Sequence, residues 1–202
     1  MRKIFFVIIA VIAVNFYSSN KANAQCIEQG NVIVDASYGF PNLYTSILKA
    51  AYENSGTTQS GFKIGTMGPI GLQGEYLLSD KIGIGLCFTY ANSSVEWTET
   101  ATTTYNYKVS VPRIRVLPTF NFHFATSDAL DPYFILGVGY SSWSLKYESN
   151  DPTFTGGSIS SSVPVAWRSA IGLRYFFTDN IGARLEFGIG GALVLGGVSF
   201  KF

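Results

Sequence analysis

Apolar and polar residues alternate along most of the chain. In residues 81–90, KIGIGLCFTY, every even position is apolar or aromatic, whereas the odd positions are lysine, glycine, cysteine and threonine. A period of two residues sorts side chains onto opposite faces only in a β-strand. The pattern recurs eight times and predicts strands over 31–40, 62–78, 81–91, 105–125, 132–146, 163–177, 181–190 and 192–202.

The connections between these predicted strands alternate in length. Those near Ser79, Thr126 and Thr178 are short, whereas 41–61, 92–104 and 149–162 are long and polar. The last hairpin is the exception, because Gly190-Gly191 makes a tight turn on the long-loop side. An even number of antiparallel strands with short turns at one end is the plan of a transmembrane barrel. The fold prediction is therefore all-β, an eight-stranded antiparallel up-and-down β-barrel.

The faces opposite the apolar ones indicate which side is inside. They combine glycines with a predicted lumen charge network: Asp35, Glu75, Arg113, Arg115, Arg168, Arg174, Arg184 and Glu186. Glycine on an outer, wetted face would have nothing to pack, but inside a narrow barrel it makes room for long arginines. We therefore expect the apolar faces to contact lipid. The alternative is a soluble lipocalin-like barrel, whose apolar faces would line the core.

The first residues of the chain, its composition and its charge fit a membrane barrel. Residues 1–24 combine a basic start, an apolar run and an Ala-Asn-Ala end, which predicts a cleaved signal peptide before a barrel domain over 25–202. A short buried or anchoring helix is the alternative. Only 13% of the 202 residues are charged. The mature part has 11 basic and 13 acidic residues, a net charge of −2, which argues against nucleic-acid binding.

Two cysteines and one histidine are the candidate reactive groups. Cys26 could suggest a lipoprotein, but Gln25 stands where a small residue is expected, and Cys87 lies within a strand, so we expect two unpaired thiols. His123 lies on an inward face. A serine hydrolase would need a nucleophile and an acid beside it, and a satisfied lumen histidine is the favoured interpretation. We predict no catalytic residue, no metal site and no cofactor.

Four cations are predicted in the upper lumen without a strand acid beside them: Lys63, Arg113, Arg115 and Arg168. Unpaired buried charge is costly, so something anionic should neutralise them. The favoured candidates are loop acids that fold inward, namely Glu96, Glu99, Glu148 and Asp151. The alternative is an external anion held by arginine forks. Before Pro112, the positions that alternate in step with the inward arginines of the fourth predicted strand are tyrosines and valines. This indicates a bulge at Pro112 or a segment above the bilayer.

The units YLLSDKIGIGL and YFFTDNIGARL and the final VSFKF resemble the family of eight-stranded outer-membrane barrels that includes the OmpA transmembrane domain and OmpX. In that family a terminal aromatic on an alternating last strand is an assembly signal, which Phe200 and Phe202 would supply. The resemblance implies a monomer in the outer membrane with periplasmic termini and lipid, lipopolysaccharide and the assembly machinery as partners.

The role that the resemblance implies is structural or interactive and non-enzymatic. It would serve envelope integrity, or adhesion through the loops 41–61, 92–104 and 149–162. The alternative function is a narrow, porin-like conduit of the OmpW kind for a small hydrophobic or anionic ligand. Such barrels share one architecture and have many functions, so the role does not follow from the fold.

Overall fold

The computed structural model describes residues 25–41, 60–100, 104–124, 126–160 and 164–202. These residues form nine strands, namely β1 (Val32–Phe40), β2 (Ser60–Ser79), β3 (Ile82–Thr100), β4 (Thr104–His123), β5 (Leu130–Ser149), β6 (Gly157–Ser160), β7 (Val165–Phe176), β8 (Ile181–Ile189) and β9 (Val194–Lys201). Within these ranges no helix is long and apolar enough to cross a membrane. The predicted signal peptide and most of the loop 41–61 lie outside the described residues.

Eight of the strands close into a ring, and every pairing is antiparallel. The order is β1, β2, β3, β4, β5, β7, β8 and β9, and β9 pairs again with β1 from Lys201 to Val194. The ninth strand, β6, lies outside the ring, and among the described residues it pairs with the upper part of β5 alone. The predicted eight-stranded barrel is confirmed, whereas β6 lies in the predicted loop 149–162 and was not foreseen.

The apolar faces point outward. On β8, Leu185 is 42% exposed, whereas its neighbours Arg184 and Glu186 are 4% and 0% exposed. The same alternation of exposed apolar and buried polar or small residues runs through β1, β7 and β9. A surface of this kind is stable in lipid, because apolar side chains outside and charges inside reverse the arrangement of a soluble protein.

The short-turn end is closed by the segment before β1. The backbone N–H of Cys26 donates to the carbonyl of Ser127 at 2.9 Å, and Lys201 Nζ donates to the carbonyl of Cys26 at 2.6 Å. Cys26 and Ile27 are buried with Ile33, Leu77 and Phe176 in an apolar cluster. Burial raises the pKa of the Cys26 thiol to about 12. Both cysteines are free, as predicted, and a thiol buried here weighs against lipidation.

The opposite end of the barrel is much taller on one side. β2 to β5 have 19 or 20 residues each, whereas β1 and β8 have nine. A strand of about 9–11 residues crosses a bilayer. The upper halves of β2 to β5, together with β6, therefore continue beyond the ring as a sheet, which we call the tall sheet. The predicted loop 92–104 is wrong, because β3 continues to Thr100 and β4 begins at Thr104.

The alternatives for the residues before Pro112 are a bulge and a segment above the bilayer, and these residues lie in the tall sheet without a bulge. β4 pairs with β3 without a register shift on either side of Pro112, so no bulge is present there, and Val109 and Val111 are buried on the inward face. The register shift lies instead in β2, between Met67 and Ile70. It brackets Pro69, which has no N–H to contribute to the sheet. A shift of one residue reverses the faces, so Lys63 lies opposite Glu96, outside the lumen.

Candidate functional site: a charge network across the lumen

Arg174 is the centre of the lumen and contacts three carboxylates. Its guanidinium donates to Asp35 at 2.9 Å, to Glu75 at 2.7 Å and to Asp131 at 3.0 Å. All four side chains are fully buried or nearly so. The ring of Tyr133 lies against the guanidinium, with 4.2 Å between Arg174 Cζ and the ring centroid. Three strands besides β7 thus converge on one cation, which fixes their relative positions.

His123 connects two of the same carboxylates. Its Nδ1 lies 2.7 Å from Asp131 Oδ1, and its Nε2 lies 2.8 Å from Glu75 Oε1. An ionised carboxylate can only accept hydrogen bonds, so both contacts are made only when each ring nitrogen carries a proton. The geometry therefore fits an imidazolium. With both nitrogens engaged, His123 links β4 to the adjacent strand β5 and to β2, the next strand but one, and has no free nitrogen to serve as a base.

A second group lies above Arg174 and centres on Glu186. Arg168 donates to Glu186 through Nη2 at 2.7 Å and through Nε at 3.2 Å, and the Tyr133 hydroxyl donates to it at 2.8 Å. Arg184 contacts Glu186 and also lies 2.8 Å from Asp35, which joins the two groups. Ser199 on β9 donates to the other oxygen of Asp35. The network thus extends around the ring from β1 to β9.

Formal charges within this network balance. Asp35, Glu75, Asp131 and Glu186 supply four negative charges, and Arg168, Arg174, Arg184 and an imidazolium His123 supply four positive ones. Buried ions tolerate the loss of water only when each is paired and hydrogen-bonded. The balance explains how a fully buried set of eight ionisable side chains is compatible with a stable barrel.

Six of the eight predicted network residues contact one another: Asp35, Glu75, Arg168, Arg174, Arg184 and Glu186. The other two, Arg113 and Arg115, lie higher and line a cavity of about 190 Å³ at the barrel mouth with Trp143. Arg115 donates to the carbonyl oxygen of Trp167 at 2.6 Å. Phe200 and Phe202 lie on the outer face, 39% and 71% exposed.

Several expectations about the upper cations need correction. Arg168 does have a strand acid beside it, since Glu186 lies on the adjacent strand. Two of the proposed loop acids, Glu96 and Glu148, lie on strands opposite Lys108, and Glu96 pairs with Lys108 at 2.9 Å. Asp151 instead accepts from Tyr107 and Thr153. The Glu99 side chain lies outside the described part of the chain.

Two members of the network were missed. Asp131 was placed in the predicted turn at 126–131, but β5 begins at Leu130 and carries it inward. His123 is a satisfied lumen histidine, as predicted, but its two carboxylate partners were not foreseen. The sequence did contain a signal for Asp131. It lies two residues before Tyr133, so both side chains point to the inside of β5.

Glycines that face the network leave room for its long side chains, because they have no side chain of their own. A Cβ at Gly172 would lie 2.2 Å from the ring of Tyr133, and one at Gly83 would lie 2.0 Å from Glu75 Oε1. Gly190 is required for a different reason, because it has a φ of +79° and a Cβ there would lie 2.4 Å from the carbonyl oxygen of Trp167. The glycine-rich inner faces are therefore packing positions, as their alternation with arginine indicates.

Replacing Gly172 by alanine is expected to lower the free energy of unfolding by about 1–3 kcal/mol, because the added methyl group displaces the buried Tyr133 ring. The matched control is Gly74→Ala, where a Cβ has no neighbour within 4 Å. Chemical unfolding of both variants in micelles measures the difference. Equal stabilities would contradict the assigned close packing.

The cavity directly above the network is small. Between Arg184, Arg168 and Ala192, the volume open to a water-sized molecule is about 10 Å³, room for about one water. Among the described residues, no group of three or more histidine, cysteine or acidic side chains is arranged to hold a metal ion. The site is therefore a set of paired charges that spans the lumen.

Comparisons with known proteins agree with the architecture. A family model described as the outer membrane protein beta-barrel domain matches residues 10–193. The fold is similar to the N-terminal barrel of OprF from Pseudomonas aeruginosa, at 18% identity and a TM-score of 0.45, covering 87% of this chain and 100% of that one. No curated protein matches in sequence.

Two further solved barrels are also similar. Ail from Yersinia pestis, crystallised with the heparin analogue sucrose octasulfate, is 12% identical with a TM-score of 0.45, covering 86% of this chain and 99% of that one. OprG from Pseudomonas aeruginosa is 15% identical with a TM-score of 0.42, covering 87% and 97%. These similarities concern the fold.

Proposed function

Because the chain belongs to the outer membrane protein beta-barrel domain family, we propose that it is a closed, non-enzymatic barrel that supports the outer membrane and carries an interaction surface outside the cell. The observation that carries this proposal is the charge network, which joins opposite walls of the lumen through Arg174. A conduit needs an open or readily opened path, which a balanced set of buried ion pairs opposes.

In this proposal the short turns and both termini lie in the periplasm, and the tall sheet projects outward. Short periplasmic turns and longer external hairpins are the general arrangement of such barrels. The outward aromatics Phe200 and Phe202 would be read by the assembly machinery. The surroundings of His123, whose two nitrogens both contact carboxylates, support a structural role for the one histidine.

Planar-bilayer recording of the refolded protein tests whether the lumen of the barrel is closed to ions. We expect no discrete conductance steps from the native barrel, because Arg174 and the segment at Cys26 obstruct the lumen at two levels. A steady conductance whose anion preference reverses in Arg113→Glu would contradict the proposal and support the narrow conduit instead.

A further inference from the structure

The cavity of about 190 Å³ at the barrel mouth combines two arginines with a serine and a tryptophan. We call it the mouth cavity. Arg113 and Arg115 lie on the inner face of β4, and their register partners on β5 are Trp143 and Ser141. Alternate residues of a strand share a face, so all four side chains point to the inside of the barrel. The mouth cavity is therefore bounded by side chains of one continuous inner surface.

Positive charge dominates the mouth cavity. Among the described residues that line it, Arg113 and Arg115 are the charged ones, and both are cations. Arg115 is 4% exposed, and its Nη2 donates to the carbonyl oxygen of Trp167 at 2.6 Å. A carbonyl group has no net charge, so this hydrogen bond positions the guanidinium without neutralising it. Positive charge in a concave site with low-dielectric walls attracts anions.

The turn after β8 brings a further guanidinium close to Arg115. A Cβ at Gly191 would lie 2.8 Å from Arg115 Nη1 and 2.9 Å from Arg168 Nη1, so the two guanidinium groups meet beside this glycine. Glu186 pairs with Arg168. An anion bound at Arg115 would offset the remaining repulsion between the two cations. The barrel wall is low here, since β8 ends at Ile189 and Gly190 is part of the cavity lining.

The outer surface indicates the level of the mouth cavity in the membrane. Tyr90 and Tyr140 are the register partners of Ile114 and Val116, which flank Arg115 on β4. Both tyrosines lie on the outer face of the barrel, and Tyr140 is 52% exposed. Outward tyrosines are typical of the level at which lipid headgroups lie. The mouth cavity is therefore at the height of the headgroups, on the side of the barrel that the proposed orientation places outside.

We propose that the mouth cavity binds a phosphate group. The oxygens of a phosphate point in several directions, which suits two guanidinium groups that reach it from successive inward positions of β4. The Ser141 hydroxyl and the indole N–H of Trp143 are further donors in the lining. Pockets that enclose small molecules have volumes of roughly 300–1,000 Å³, so this smaller cavity fits the phosphate of a larger molecule.

Two sources can supply such a group: a lipid of the outer leaflet, such as lipopolysaccharide, or a phosphorylated solute outside the cell. The inference goes beyond the proposed structural role, because binding at the mouth needs no path through the lumen.

Calorimetric titration of the mature protein tests the assignment, in micelles of a maltoside detergent, which contains no phosphate. The probes are inorganic phosphate and glucose 1-phosphate, at constant ionic strength because salt screens charge interactions. At least one should bind with a millimolar Kd or tighter, and Arg113→Gln should weaken that binding by at least about tenfold, or 1.4 kcal/mol. The matched control is Lys146→Gln, which removes an exposed cation from the outer face of β5 and should leave the affinity unchanged.

Ser141→Ala is the second variant, because it removes a donor from the lining and keeps both arginines. It should weaken binding about threefold or more. Titration of glucose 1-phosphate in liposomes with intact or dephosphorylated lipopolysaccharide distinguishes the two sources. A lower affinity with intact lipopolysaccharide alone would assign the mouth cavity to a lipid neighbour, and equal affinities would assign it to a solute.

Three results would overturn the phosphate assignment: no binding of either probe, the same affinity in Arg113→Gln as in Lys146→Gln, or binding that appears only after Glu53→Gln or Glu99→Gln. The side chains of Glu53 and Glu99 lie outside the described residues, and the third result would show that a carboxylate of the chain itself occupies the mouth cavity. None of the three bears on closure of the lumen, which the bilayer recording measures separately. Failure of the phosphate assignment is therefore distinguishable from failure of the proposed structural role.

Discussion

Replacing Arg174 by methionine is expected to lower the free energy of unfolding by about 3–5 kcal/mol, the largest effect of any single substitution considered for this barrel. The substitution leaves Asp35, Glu75 and Asp131 around a side chain that donates no hydrogen bond. Their charges then face one another in a site with no access to water. Denaturant unfolding in micelles, followed by the gel shift between folded and unfolded barrel, measures the loss.

A rescue variant separates charge from packing. In Arg174→Met with Glu75→Gln, the network again has equal numbers of positive and negative groups, and a large part of the lost stability should return. The matched control is Lys108→Met, which also removes a cation from a contact with glutamate, but where both side chains are more than 40% exposed. That substitution should cost less than about 1 kcal/mol. Equal losses in Arg174→Met and Lys108→Met would contradict the buried network.

The second large effect is expected on the lipid-facing side. Leu185→Arg should lower stability by about 2–4 kcal/mol, because an arginine near the bilayer midplane cannot be hydrated. Leu185 lies in the middle of β8 on the face opposite Arg184 and Glu186. Refolding into liposomes followed by denaturant titration gives the change in free energy.

Ile181→Arg is the control for Leu185→Arg. Ile181 begins β8 on the same face, next to the short turn, and is similarly exposed at 47%. An arginine there can extend to the interface, so the cost should fall to about 0–1 kcal/mol. A soluble barrel with the opposite sidedness would show no such dependence on depth, and a Leu185→Arg barrel of undiminished stability would refute the assignment.

The barrel could be predicted from the sequence because its governing pattern is local. Leu185 and Glu186 adjoin in the chain and point to opposite faces, so the alternation along each strand gives both the strand and its sidedness. Eight such segments with short turns at one end then leave few closed topologies. The inward arginines and acids follow from the same alternation, which is why six predicted network residues do meet.

What the sequence did not reveal depends on contacts between distant segments. Asp131 follows a turn, and only the β5–β7 register places it beside Arg174. Lys63 was assigned to the lumen because the alternation was continued through Pro69, where the register shift reverses the faces. The upper part of β3 is mostly polar, with only Val95 and Trp97 apolar between Asn92 and Thr100, so its strand character depends on pairing with β4. Only pairing with β5 defines β6 as a strand.

The distribution of the charge network along the chain also constrains how the barrel can be assembled. Arg174 meets Asp35 across 139 residues of sequence, and Ser199 meets it across 164. Before β1 and β9 pair, these charged side chains lack some of their hydrogen-bond and ion-pair partners. A half-closed sheet in lipid would therefore have unpaired strand edges as well as unneutralised ions. Partly closed intermediates are therefore penalised within the bilayer, and we expect strand closure and membrane insertion to occur together.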